Sequence, residues 1–131
     1  MLWRLPALRL DRKGNEMFYT YSQNNSGGSF IGPHYVIVEA DSARQANSIA
    51  QDHDVYFDGV EFGDDCECCG DRWEPIEKDS EGTQSPMIWG NTDIQQTLNE
   101  SWSWTSDSSA IVVYLDGSVD YYEKKKEKEN V

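Results

Sequence analysis

No stretch of this sequence approaches the ~20 consecutive apolar residues that a bilayer-crossing helix needs, and its longest apolar run, residues 110–115, has the length of a buried strand. Bases are scarce: 11 Lys and Arg stand against 24 Asp and Glu in 131 residues, a formal net charge of −13. Histidine occurs twice, at His34 and His53, and the three cysteines are confined to residues 66–69. Each shortage excludes something. A helical membrane span is ruled out, and the scarcity of bases argues against a general surface for nucleic-acid backbones or anionic lipids. Three cysteines in one short span do not build the disulfide framework of a small secreted domain, and they fit a reducing cytoplasm. Catalytic signatures are missing too. There is no Gly-x-Ser-x-Gly elbow and no P-loop or dinucleotide fingerprint, and Asp52, Asp54 and Asp58 lack EF-hand spacing. Binding is therefore expected ahead of catalysis.

What is present is a folding chain. Aromatics make up 12% of the residues, with five Trp and seven Tyr, too much large apolar surface for a disordered segment of this length. The length suits one domain with one modest core. Residues 1–10 carry Arg4, Pro6 and Arg9 within their apolar stretch and no small-residue cleavage site follows, so a secretory signal is not expected. The composition predicts a flexible extension over 1–16, a single acidic domain over 17–122 and a charged tail over 123–131.

Local patterns predict an α+β fold: a small antiparallel sheet, one main helix at about 41–51, a second short helix at about 92–99 and a C-terminal hairpin at about 110–122. Residues 17–22 and 35–40 read as strands, the latter central, because aromatic and β-branched residues dominate them. Ser42 and Gln45 have capping-box spacing ahead of Ala43, Ala46, Ile49 and Ala50, and Thr92 and Gln95 repeat that spacing. Residues 55–57 are a short strand candidate. In the hairpin, Asp116-Gly117 is the dipeptide that two-residue type I′ turns prefer.

Charge is unevenly spread. Residues 52–81 hold twelve acids against Arg72 and Lys78, a net of −10 in thirty positions. Such a surface favours cations or basic protein partners, with Asp58, Glu61, Asp64, Asp65, Glu67 and Asp71 as the candidate contact residues. Acidity also serves simply to keep a small protein in solution.

Three constellations carry possible chemistry. Cys66-x-x-Cys69-Gly70 is half of a zinc knuckle, and Cys68, His34, His53 or a nearby carboxylate are candidates for the missing ligands; reduced thiols in a turn are the competing reading. The polar loop following the first strand, with Tyr19, Tyr21, Ser22, Gln23, Asn24, Asn25, Ser26, Gly27, Gly28 and Ser29, offers backbone N–H groups to an anion such as a small nucleotide, though an ordinary connecting loop has the same composition. Trp102 and Trp104 share one face of any strand they occupy, as core or as a recognition patch.

The segments Phe18-Tyr-Thr-Tyr-Ser-Gln-Asn-Asn-Ser-Gly-Gly-Ser-Phe30, Tyr56-Phe-Asp-Gly59 and Asp65-Cys-Glu-Cys-Cys-Gly-Asp-Arg-Trp73 resemble a family of small uncharacterised proteins of tailed bacteriophages, across residues 18–73. The resemblance implies a phage source, residence in the host cytoplasm and, by analogy, an accessory role directed at the host. It carries over no catalytic residue. Together these readings give a protein that inhibits a host defence or nucleic-acid-handling enzyme through its acidic surface. The alternatives are a binder that sequesters a small ligand or nucleotide with the 22–29 loop, and a zinc-stabilised domain of another role.

Overall fold

The computed structural model describes residues 16–24, 32–100 and 109–125. In chain order its elements are β1 (Met17–Ser22), β2 (Tyr35–Ala40), α1 (Ala43–Gln51), α2 (Ile94–Glu100), β3 (Ser109–Val113) and β4 (Val119–Glu123). The strands form one sheet in the order β1-β2-β3-β4, so β2, with its apolar run over residues 35–38, lies inside the sheet. β1/β2 and β3/β4 pair antiparallel, and β2 pairs parallel with β3. The fold is thus α+β with a small sheet as expected, but mixed and not antiparallel throughout, because β2 and β3 run parallel at its centre.

Strand alternation sends side chains to two opposite faces, and each face buries a helix. On one, Tyr19, Tyr21, Val36 and Val38 pack with Ala43, Ala46 and Ala50 of α1 and with Trp73. Alanine at all three α1 positions lets the helix lie close to the sheet. On the other, Phe18, Ile37, Ala110 and Val112 pack with Ile94 and Leu98 of α2 and with Ile88. Val36, Ile37 and Val38 are fully buried, which places both cores against β2.

The first cap forms at Ser42, with the return bond of its box made one residue earlier, at Asp41. Ser42 Oγ accepts from Gln45 N at 3.1 Å, and Gln45 Oε1 accepts from Asp41 N at 2.6 Å. Ser42→Ala removes the first bond and is expected to cost about 1 kcal/mol, read as a lower urea midpoint at unchanged slope. At α2 the cap shifts by one residue. Asp93, not Thr92, takes Gln96 N on its side chain, 3.0 Å, while Asn91 Oδ1 takes Asp93 N, 2.8 Å.

Two local expectations need correction. Residues 55–57 form no strand: Asp54 and Asp58, at φ 72° and 60°, turn the chain sharply on either side, although Val55 itself is buried. The hairpin between β3 and β4 exists, but Asp116-Gly117 does not make a two-residue turn. Tyr114 N donates to Ser118 O and Gly117 N to Tyr114 O, both at 2.8 Å, with Gly117 at φ 93°, so a three-residue loop ends in a left-handed glycine. Asp116 accepts from Ser118 N at 2.9 Å and stays out of the left-handed region that a type I′ turn demands. Of the extension expected over 1–16, residues 1–15 lie outside the described residues and Glu16 is buried. Glu123 belongs to β4, and the tail beyond residue 125 is likewise outside them.

Candidate functional site

The acidic segment after α1 is irregular in secondary structure yet tightly pinned. Gly59 O accepts from Asp64 N at 2.7 Å and Asp65 N at 3.0 Å, closing a turn whose inner bond is Gly63 N to Val60 O, 3.2 Å, and Phe62 N donates to Asp58 O at 3.1 Å. Beneath it lies a buried polar network. The Asp65 carboxylate is fully buried and accepts from Tyr56 OH at 2.6 Å and from Arg72 N at 2.7 Å. Arg72 Nε lies 3.7 Å from Asp65 Oδ1 and donates to Tyr56 OH at 3.0 Å; its Nη1 donates to Gln23 Oε1 at 2.6 Å. A charge removed from water needs partners on every side, and this network supplies them. Burial and the Asp65 hydrogen bond raise the Tyr56 phenol, with Arg72 opposing both. Gly59 has no alternative here, because a Cβ would overlap the Asp65 carboxylate.

The remaining contacts tie the loop to β1. Asn24 N donates to Arg72 O at 2.8 Å, and Asn24 Nδ2 reaches Cys69 O at 2.8 Å and Asp71 O at 3.2 Å. Asp71 Oδ1 accepts from Val60 N at 2.9 Å. Three sequence segments far apart in the chain, around Gln23, Tyr56 and Arg72, therefore meet in one scaffold.

Of the six carboxylates expected to face a partner, Asp65 and Asp71 are used inside the loop. Asp58, Glu61, Asp64 and Glu67 are exposed, and with them Phe62, whose 70% exposure is unusual for a phenylalanine. Ten of the twelve acids in residues 52–81 are exposed, so internal pairing leaves most of the negative field on the surface.

Next to this turn the thiols gather. Cys66 is half-buried, Cys68 and Cys69 are exposed, and none of the three is in a disulfide. Their sulfurs lie within 4.8 Å of one another, close enough to hold a metal ion. Neither His34 nor His53 joins the group. His34 is buried at the start of β2, its N–H donating to Ser109 O at 2.9 Å, and His53 sits in the turn leaving α1. The Cys66 thiol is lowered to about 7, first by hydrogen bonding with the Cys68 side chain and then by the backbone N–H groups of Cys68 and Cys69. The Cys68 thiol rises to about 11 for the reciprocal reason. Cys66 thus gives up its proton near neutrality while Cys68 keeps its own. Alkylation by iodoacetamide is expected to fall first on Cys66, with its rate half-maximal near pH 7, followed by peptide mapping; equal labelling of Cys66 and Cys68 at that pH contradicts this.

The 22–29 loop fares differently. Tyr19 and Tyr21 belong to the core, and Tyr21 OH donates to Asn47 Oδ1 at 2.6 Å. Gln23 and Asn24 serve the scaffold, while residues 25–31 lie outside the described residues, as do Trp102 and Trp104. Ser22 lines a cleft of about 450 Å³ that sequence reading missed, beside the β1 edge with Thr20, Ile76, Met87 and Trp89. Trp89 is 77% exposed at φ 52°, its Nε1 donating to Tyr35 OH at 3.2 Å. A Trp-Gly-Asn turn signal at 89–91 was the one available hint.

Among the described residues no helix is long and apolar enough to cross a membrane. No curated protein and no solved structure matches the chain. Residues 16–130 match the model of the family described as Domain of unknown function (DUF7296), a span that takes in both the scaffold and the sheet, and the chain belongs to that family.

Proposed function

We propose that this is a phage accessory protein that acts in the host cytoplasm by binding, its acidic turn engaging a basic site on a host defence or nucleic-acid-handling protein and inhibiting it. One observation carries the reading: Asp58, Glu61, Asp64 and Glu67 are exposed around an exposed Phe62 on a turn whose backbone is pinned from within. A preorganised loop loses little conformational entropy on docking, and a dense carboxylate rim steers a basic surface towards it. A zinc ion on Cys66, Cys68 and Cys69 would stiffen the same loop from its outer side.

The test compares the native protein with a variant carrying Asp58→Asn, Glu61→Gln, Asp64→Asn and Glu67→Gln together. Each is immobilised and exposed to host extract at about 0.05 M and about 0.5 M salt, and the retained proteins are quantified. The reading requires proteins held by the native chain at low salt and lost both at high salt and with the variant. Identical retention by the two proteins sinks it.

A second reading, sequestration of a small ligand or nucleotide, is favoured by the cleft that Ser22 and Trp89 both line. Nucleotide absorbance released when the purified protein is denatured would support that reading over the first. It predicts loss of that absorbance on Trp89→Ala.

A further inference from the structure

Packing does not account for the thiols. Free cysteine is ordinarily among the most buried residues, yet Cys68 and Cys69 are exposed, Cys66 is half-buried, and none of the three belongs to either core cluster. Their placement has the dimensions of a ligand set. With a metal–sulfur bond of ~2.3 Å in tetrahedral geometry, neighbouring sulfurs stand about 3.8 Å apart. Cys68 Sγ and Cys69 Sγ are 3.9 Å apart. Cys66 Sγ and Cys68 Sγ, at 2.9 Å, need to separate by about 0.9 Å to reach that spacing, a change within reach of exposed side chains. The backbone supports the arrangement. Cys69 N and Gly70 N both donate to Cys66 O, at 3.1 and 3.0 Å, Gly70 adopts φ 88°, and Asn24 Nδ2 holds Cys69 O from beneath at 2.8 Å.

Donor type and number decide the class of ion. Three sulfur donors suit a thiophilic cation, whereas magnesium and calcium require oxygen ligands. The chain contains three Cys and two His, and both His lie outside the group, so a fourth sulfur or imidazole has no source within this chain. We infer that Cys66, Cys68 and Cys69 bind one divalent cation of the zinc class as a three-thiolate cap, with its outward position open to a sulfur or nitrogen donor from outside the chain. This deepens the zinc-stiffened loop proposed above, and it stands or falls independently of the acidic rim.

The experiment uses the full chain, reduced, freed of metal with a chelator and titrated with Co²⁺ under argon. Co²⁺ reports tetrahedral geometry through its visible bands and counts thiolates through sulfur-to-metal charge transfer in the near ultraviolet. Expected are saturation at equimolar Co²⁺, displacement by equimolar Zn²⁺, and a charge-transfer band lower by about a third or more in each of Cys66→Ser, Cys68→Ser and Cys69→Ser. Because the thiols lie outside the cores, circular dichroism of these variants should match the native protein. Adding a small monothiol to the Co²⁺ form should shift the visible bands as it enters the open position. The inference is overturned by a band that survives any one of the three substitutions undiminished, or by saturation only beyond equimolar metal. A spectrum indifferent to the monothiol overturns the open position. None of these readouts involves partner binding, so failure here leaves the acidic-rim test untouched.

Discussion

Asp65→Ala should lower the unfolding free energy by about 3–5 kcal/mol, a large share of the 5–15 kcal/mol that holds a domain of this size together. The magnitude follows from what is left behind. Removing the carboxylate takes a buried negative charge away from Arg72, a residue only 5% exposed, beside a Tyr56 hydroxyl and an Arg72 N–H that have both lost their acceptor. The contact between Arg72 and Asp65 is worth little in itself, since two buried charges are costly to desolvate; the penalty arises because the Arg72 guanidinium stays buried after the Asp65 charge is gone. Tyr56→Phe removes one hydroxyl from the same network and should cost nearer 1 kcal/mol. Urea unfolding of both variants and of their combination separates these effects: the double variant should fall short of the sum, since the two residues share partners. A loss below about 0.5 kcal/mol for Asp65→Ala, the range of ordinary surface substitutions, would mean that water reaches this network freely.

That network also shows how far the sequence could be read. Strands β1 and β2 were legible because Met17–Ser22 and Tyr35–Ala40 are built from aromatic and β-branched residues, and α1 because Ser42 and Gln45 bracket an alanine stripe. These are local signals. The parallel pairing of β2 with β3 joins residues 75 positions apart, Val36 with Ile111 for example, and no local pattern encodes it. The same holds for the site. Composition marked residues 52–81 as acidic, and spacing marked the cysteines, but carboxylates of one type split into opposite roles that only tertiary contacts assign: Asp64 faces solvent while its neighbour Asp65 is buried on Arg72. Gln23 and Asn24 looked like ligand-binding loop residues for an equivalent reason. Their amides are equally suited to a nucleotide or to the Arg72 and Cys69 groups that they hold here. Left-handed backbone at Asp54 and Asp58 was hidden too, because Asp tolerates that conformation without announcing it.

Phe62→Ala is the substitution expected to affect partner binding most. A large aromatic at the centre of a charged rim is the usual anchor of a small interface, and truncating one costs about 2 kcal/mol or more, roughly a thirty-fold loss of affinity. The folded state should hardly notice. Phe62 is 70% exposed and belongs to neither core, so its urea midpoint should shift by less than about 0.5 kcal/mol equivalent. Salt separates the anchor from the rim. Apolar burial is insensitive to screening, so Phe62→Ala should weaken binding equally at every ionic strength, whereas neutralising Asp58, Glu61, Asp64 and Glu67 should flatten the salt dependence itself. Isothermal titration of the captured partner across a salt series reads both effects in one measurement. If Phe62→Ala leaves affinity within two-fold of native while the neutralised rim abolishes binding, the turn acts by charge alone and the ring is incidental. If neither variant changes affinity, the contact surface lies elsewhere on the molecule, and the cleft beside Trp89 becomes the surface to test.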